Sequence, residues 1–206
     1  MKKYINNNKN EMIIIGITSL LFIMLSILVT TNTTSYIDTQ VHSLIINIRS
    51  ESLTNILTLL TNLAGATFLL ALSVILLIIM KNKKNSIYIF TNLACAFFIN
   101  ELAKNIFERS RPVGINLVEE TGLSFPSGHS MVGLSFYGFI AYLLYKNLEN
   151  KKHKIIVITS LVILTLLIGF SRIYLGVHYL TDVLGGFLLS IIYLTIFIKL
   201  TQKEKK

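Results

Sequence analysis

The chain has 206 residues, is 53% hydrophobic and only 14% charged, with two prolines and one cysteine. A soluble domain carries about a quarter charged residues, so this composition excludes an ordinary soluble fold and points to the membrane. The net charge of +9 could suit nucleic acid, but its lysines gather at the ends of apolar runs, so no nucleic-acid partner is expected.

The first run, 12–30 (MIIIGITSLLFIMLSILVT), is longer than a signal-peptide core. It passes into Thr30, Thr31 and Asn32 without a small-residue cleavage pattern, so a retained span is expected. Residues 31–52 follow outside. There Val41, Leu44, Ile45 and Ile48 recur at helical spacing and predict a short amphipathic surface helix, with a lone His42 exposed or interfacial. Runs at 65–80, 86–100, 130–145, 155–170 and 183–198 complete six spans, each about 20 residues with its flanks. Cys95, inside the third span, has no disulfide partner and is expected to pack. The predicted fold is all-α: a six-transmembrane helical bundle forming a single integral-membrane domain over residues 1–206.

Lysines set the orientation. Lys2, Lys3 and Lys9 precede span 1, and Lys81, Lys83 and Lys84 follow span 2. Lys146, Lys151, Lys152 and Lys154, with a solvated His153 among them, follow span 4, and Lys199, Lys203, Lys205 and Lys206 follow span 6. Most of the 19 basic residues thus share one side, which the positive-inside rule makes cytoplasmic, along with both termini. Membrane lipids are the expected surroundings, and no obligate protein partner is evident.

Arg49, Lys104, Arg109, Arg111 and Arg172 fall on the other side. Lys104 and Arg111 are seven apart in KNIFERSRP (104–112), nearly two helical turns, before Pro112 turns the chain. One such cation could simply snorkel to the interface; three at one depth beside two histidines point to a site. Pro126-Ser127-Gly128-His129 opens the fourth span. A helix N-terminus offers unpaired N–H groups, Gly128 admits a close ligand, Ser127 can cap or donate, and His129 supplies a proton. In SRIYLGVHYLTD (171–182), His178 and Asp182 are four apart, within reach of each other on a helix. A carboxylate holding Nδ1 leaves Nε2 facing outward as a nucleophile or base. The pair could also simply satisfy itself. No further carboxylate or cysteine cluster completes a metal site, so no metal or other cofactor is expected.

Lys104-x6-Arg111-Pro112, then Pro126-Ser127-Gly128-His129, then Ser171-Arg172-x5-His178-x3-Asp182 resemble the three motifs of the type 2 phosphatidic acid phosphatase superfamily. That superfamily also includes vanadium haloperoxidases and glucose-6-phosphatase. YLGVHYLTDVLGG (174–186) is similar to its small bacterial membrane branch. The resemblance implies six spans with cytoplasmic termini and a metal-independent phosphatase. It implies His178 as the nucleophile that forms a phosphohistidine, with Asp182 orienting it. His129 would protonate the leaving oxygen and then activate water. Lys104, Arg111 and Arg172, with Ser127 and the Gly128 N–H, would hold the phosphoryl oxygens, since phosphoryl transfer is chiefly positioning and charge neutralisation.

Span counting puts this site at the outer face of the plasma membrane. The expected substrate is a lipid phosphate or pyrophosphate. Undecaprenyl pyrophosphate is favoured because an outward site suits pyrophosphate released outside; phosphatidylglycerol phosphate or phosphatidic acid is the alternative. Glu119 and Glu120, in the loop before the second motif, are expected to be solvated or to repel highly charged heads. A transporter would need polar residues across the whole bilayer, whereas the charged groups here lie near the outer ends. A structural lipid-binding protein remains the other non-enzymatic reading.

Overall fold

The computed structural model describes residues 2–203, with side chains from 9 to 202. Lys205 and Lys206 lie outside the described residues, as do the side chains of Lys2, Lys3 and Lys203. The described residues form helices and no strands. The order is α1 (Lys2–Thr30), α2 (Ser35–Asn47), α3 (Glu51–Asn62), α4 (Ala66–Ile79), α5 (Lys83–Phe107), α6 (Gly128–Asn147), α7 (Lys151–Tyr174) and α8 (Leu180–Lys203).

Four of these, α1, α5, α7 and α8, are long and apolar enough to cross a membrane. A fifth is reached if α3 and α4, which meet at a 46° bend, form one span. The expected second span, 65–80, corresponds to α4. Its 14 residues reach only about 21 Å, short of a hydrocarbon core, so α3 must supply the rest of any crossing. Helix α6 has 20 residues but more polar ones, and these are turned inward: Ser130 and Ser135 are buried, and Ser135 hydrogen-bonds Ser190 of α8 at 2.8 Å. It packs against α5, α7 and α8 and is the centre of the bundle.

Local chemistry fixes the helix ends. At α1, Asn32 takes a left-handed conformation that asparagine tolerates. Its N–H bonds Val29 and that of Thr33 bonds Leu28, which satisfies the last carbonyls. Helix α5 stops at a left-handed Glu108. Ser50, Ser127 and Asn150 accept backbone N–H groups at the starts of α3, α6 and α7. Leu69, Leu93, Phe136, Phe139, Ile168 and Tyr193 are among the buried core of the bundle, against which Cys95 packs. A second cluster, including Ile45, Leu57, Tyr174, Val177 and Val183, lies beneath the α7–α8 turn and joins α2 and α3 to it.

The expected surface helix exists as α2, but its inward face is polar. Asp38, His42 and Ile45 are buried there, while Leu44 and Ile48 are exposed. His42 is therefore not the exposed residue expected. His153 is exposed as expected, on the first turn of α7. The end of α5, the start of α6, the end of α7 and the start of α8 all meet at one end of the bundle.

Candidate active site

His178 sits in the turn between α7 and α8, not on a helix as its spacing suggested. Gly176, at φ +74°, makes that turn; a Cβ there would collide with the Ile115 carbonyl and approach Arg49 Nη2 to 2.8 Å. The pairing with Asp182 nevertheless forms: His178 Nδ1 lies 3.4 Å from Asp182 Oδ2. Asp182 is the third residue of α8 and reaches back to the Tyr179 N–H at 2.8 Å, the carboxylate half of a capping box. Ser124 Oγ donates to the same Oδ2 at 2.5 Å and lies 3.3 Å from Nδ1. On the other side of the ring, Arg111 Nη1 lies 3.0 Å from Nε2 and donates to the Val177 carbonyl at 2.9 Å. A guanidinium can only donate, so Nε2 carries the lone pair and the proton is on Nδ1. His178 is 1% exposed. Burial pulls its pKa down to about 4, against the raising effect of Asp182, so the ring is neutral well into the acid range.

Opposite lies the start of α6. Ser127 caps it, accepting from the Ser130 hydroxyl at 3.1 Å, and its own N–H bonds the Asp182 carbonyl at 3.0 Å. A Cβ on Gly128 would lie 3.0 Å from Asn100 Oδ1 and 3.9 Å from Lys104 Nζ, so the lysine stands beside the helix N-terminus. Arg172 is 1% exposed. Its Nη1 donates to Thr61 Oγ1 at 3.0 Å, its Nη2 pairs with Glu120, and its Nε is buried with no partner. Arg111 Nη2 lies 3.6 Å from the same Glu120 carboxylate. His129 interacts electrostatically with Arg172, His178, Arg111 and Lys104.

The fold thus gathers Lys104, Arg111, Ser127, Gly128, His129, Arg172, His178 and Asp182 in one place. Lys104 and Arg111 arrive differently from the two-turn reading: α5 ends at Phe107, and Arg111 belongs to the loop that follows. Glu120 is not simply solvated, because two arginines claim it. Three further groups escaped the sequence. Arg109 Nη1 holds Asp182 Oδ1 at 2.6 Å and Nη2 holds Asp38 Oδ2 at 2.7 Å. His42 Nε2 donates to the His178 carbonyl at 3.2 Å. Ser124 had no motif to mark it. Arg109 stood inside KNIFERSRP as a cation without an assigned partner, and that was the one usable signal.

Among the described residues, no three His, Cys, Asp or Glu side chains cluster in a way that could hold a metal ion. The site offers instead a neutral imidazole whose Nε2 lone pair accepts from Arg111, a second histidine, and cations around a helix N-terminus. That arrangement can hold a tetrahedral or trigonal-bipyramidal anion against a nitrogen nucleophile.

Several known proteins are similar to this chain. The family model described as the PAP2 superfamily matches residues 85–206. Phosphatidylglycerophosphatase B of Bacillus subtilis (strain 168) is 34% identical over 191 residues, 91% of this chain and 94% of the relative. An undecaprenyl-diphosphatase of Sulfolobus acidocaldarius is 31% identical over 64% of each chain. The crystal structure of a transmembrane PAP2-type phosphatidylglycerolphosphate phosphatase from Bacillus subtilis superposes with a TM-score of 0.85 at 34% identity, covering 92% of this chain and 96% of that one. That of Aquifex aeolicus LpxE gives a TM-score of 0.65 at 25% identity, over 78% of this chain and 94% of that one.

Proposed function

The chain belongs to the PAP2 superfamily and is a multi-pass membrane phosphatase, and from that premise we propose that it hydrolyses a lipid phosphomonoester through a phosphohistidine on His178. The observation that carries this reading is the state of the His178 ring: Nδ1–H toward Asp182, Nε2 with its lone pair held by Arg111. In the first step Nε2 bonds to phosphorus as the P–O bond to the lipid breaks, and His129 protonates the leaving oxygen. Arg111 turns from Nε2 to a phosphoryl oxygen, joining Arg172, Lys104 and the N–H groups at Gly128. In the second step His129 takes a proton from water, which attacks the phosphohistidine and releases phosphate.

Charge and coverage together favour phosphatidylglycerol phosphate as the substrate. Lys104, Arg111 and Arg172 against Glu120 leave two net positive charges, matching a phosphomonoester dianion better than a pyrophosphate. Glu101 also approaches Lys104, but it is exposed and screened. The phosphatidylglycerophosphatase relative matches over nearly the whole chain. Undecaprenyl pyrophosphate is the second reading, favoured by the outward site that the lysine distribution implies. Purified protein in nanodiscs, given both lipids and phosphatidic acid, should release phosphate fastest from the glycerophosphate lipid. It should do so in EDTA, since cations and backbone donors supply the charge; a strict need for added Mg²⁺ or Zn²⁺ would sink the metal-independent mechanism.

The topology belongs to the same proposal. Helices α1, α3 with α4, α5, α6, α7 and α8 make six crossings with both termini cytoplasmic, so the site opens outward. In a Cys95→Ser background, an impermeant thiol reagent should label Asn116→Cys in intact cells and spare Asn82→Cys. Labelling of Asn116→Cys only after lysis would place the substrate in the inner leaflet.

A further inference from the structure

Helix α2 lies outside all three motifs, yet it delivers two buried polar side chains to the back of the nucleophile. Asp38 is 1% exposed. It accepts from Arg109 Nη2 at 2.7 Å, from Thr181 Oγ1 at 2.7 Å and from the Thr181 N–H at 3.1 Å. Arg109 in turn donates to Asp182 Oδ1 at 2.6 Å and to Thr181 Oγ1 at 2.7 Å, and its guanidinium lies 4.1 Å over the Tyr179 ring. Tyr179 also packs against His42, with ring centres 5.3 Å apart and the rings tilted by 33°. A chain of alternating charge, Asp38, Arg109, Asp182, therefore ends on His178 Nδ1.

We propose that Asp38 and Arg109 are positioning residues for the phosphatase reaction, with Asp38 restoring the negative charge that Arg109 would otherwise cancel beside His178. The inference rests on the reading of His178 as nucleophile. Forming the Nε2–P bond while the proton stays on Nδ1 makes the ring cationic. Asp182 stabilises that cation, but Arg109, bonded to Asp182, opposes it. Asp38 on the far side of Arg109 brings the three groups back to one net negative charge. Arg109 can then fix the Asp182 carboxylate in place without lowering its pull on the ring. His42, donating to the His178 carbonyl, holds the same turn from its backbone, so α2 grips the turn at His178 and the start of α8 at Thr181.

Charge counting gives a test that simple structural damage does not reproduce. Asp38→Asn keeps the shape and leaves the cluster neutral; Arg109→Gln leaves it doubly negative; the double variant returns it to one negative charge. Asp38→Asn should lower kcat by roughly ten- to fifty-fold, the effect of one unit charge at this remove in a partly buried site, with KM little changed. The double variant should turn over faster than Asp38→Asn, though below wild type because the hold of Arg109 on Asp182 is gone, whereas structural damage from two changes would accumulate.

The acid limb of kcat supplies a second readout. The groups facing His178 are Asp182 from α8, Arg172 from α7, His129 from α6, Lys104 from α5, Asp38 and His42 from α2, and Arg109, Arg111 and Glu120 from the α5–α6 loop. Loss of a negative neighbour disfavours the protonated ring, so Asp38→Asn should move the acid limb to lower pH. Arg109→Gln should move it to higher pH. Size-exclusion and thermal profiles in detergent establish folding. Should Asp38→Asn not fold, Arg109→Lys against Arg109→Gln decides: the lysine keeps the charge and should leave the limb in place, while the glutamine should shift it. Multiplicative loss in the double variant, wild-type kcat in Asp38→Asn, or an unmoved limb would each overturn the proposal. His178→Ala is assayed alongside. If it turns over, the nucleophile assignment itself is wrong. If it is dead while Asp38→Asn is unaffected, only the role of α2 fails.

Discussion

The two halves of the site differ in how completely their hydrogen bonds are used. On the nucleophile side, Asp182 is saturated: Arg109 takes Oδ1, while Ser124, the Tyr179 N–H and His178 share Oδ2. On the phosphate side the use is uneven: the Thr121, Gly122 and Val177 carbonyls hold Arg111, while Arg172 is under-used. Arg172 Nε has no partner, and Arg172 and Arg111 share the single carboxylate of Glu120. Buried polar groups are normally paired, so an orphaned guanidinium N–H marks a place that a ligand completes. On the proposed reading, the first half is preorganised whether or not substrate is present, and substrate completes the second. Changes in the first half should therefore appear mainly in kcat, and changes in the second mainly in KM and inhibitor affinity.

The largest break in this division is His178→Ala. Loss of the nucleophile should cost on the order of 10⁴–10⁶-fold in kcat, as removing a nucleophile does in other covalent hydrolases. Quenching into alkaline SDS, in which a phosphohistidine survives, with a ³²P-labelled lipid should trap phosphoenzyme in the wild type and none in the variant. His129→Ala comes next, with a loss of about 10²–10⁴-fold. The two are separated by leaving group. An ester whose alcohol departs without protonation should restore a first-turnover burst of alcohol in His129→Ala, whose second step still lacks its base, and no burst in His178→Ala. Equal response of the two variants would erase the distinction between acid and nucleophile.

What the sequence made legible follows the same line. The cations gathered at the start of α6 and the His–Asp pair were readable because each sits in a short motif with its own spacing. The saturating groups were not, because their partners are distant in the chain. Asp38 of α2 and Asp182 of α8 meet through Arg109, and no periodicity in residues 31–52 separates an inward Asp38 from a solvated one. His42 looked solitary for the same reason: its partner is a backbone carbonyl, which carries no residue-type signal. The helical pattern of Val41, Leu44, Ile45 and Ile48 did predict α2. It could not say that the buried face would be set by two polar side chains finding partners. The spans were clearest where apolar composition was extreme, in α1, α7 and α8. The crossings proposed for α4 and α6 were least clear, where a bend and an inward polar face blur the pattern.

Ser124→Ala tests the saturated half more gently. Its hydroxyl contributes one of several bonds to Asp182, and a hydrogen bond to a charged group is worth about 1.5–3 kcal/mol. With Arg109 and the Tyr179 N–H still holding the carboxylate, the lower end applies, so kcat should fall roughly ten-fold with KM unchanged. A larger effect on KM than on kcat would mean that Ser124 serves the phosphate and not the Asp182 carboxylate.

Glu120→Gln should have the smallest effect, and in the opposite direction for binding. The Glu120 carboxylate lies against Arg172 and Arg111, where the phosphoryl oxygens would go. An incoming phosphate must therefore displace or share these cations with a charge of its own sign. The amide still accepts a hydrogen bond from Arg172 but adds no negative charge. Vanadate, whose five-coordinate form resembles the in-line transition state, should inhibit the variant several-fold more tightly. KM for a lipid monophosphate should fall less, because its tail already holds the head at the depth of the site. The gain should be larger for a lipid pyrophosphate, whose extra charge feels the removed carboxylate more strongly. Turnover itself should change little, since the saturated half is untouched. If Glu120→Gln instead loses vanadate affinity, the carboxylate is orienting Arg172 and not competing with the anion. The two halves of the site would then both be preorganised before substrate arrives.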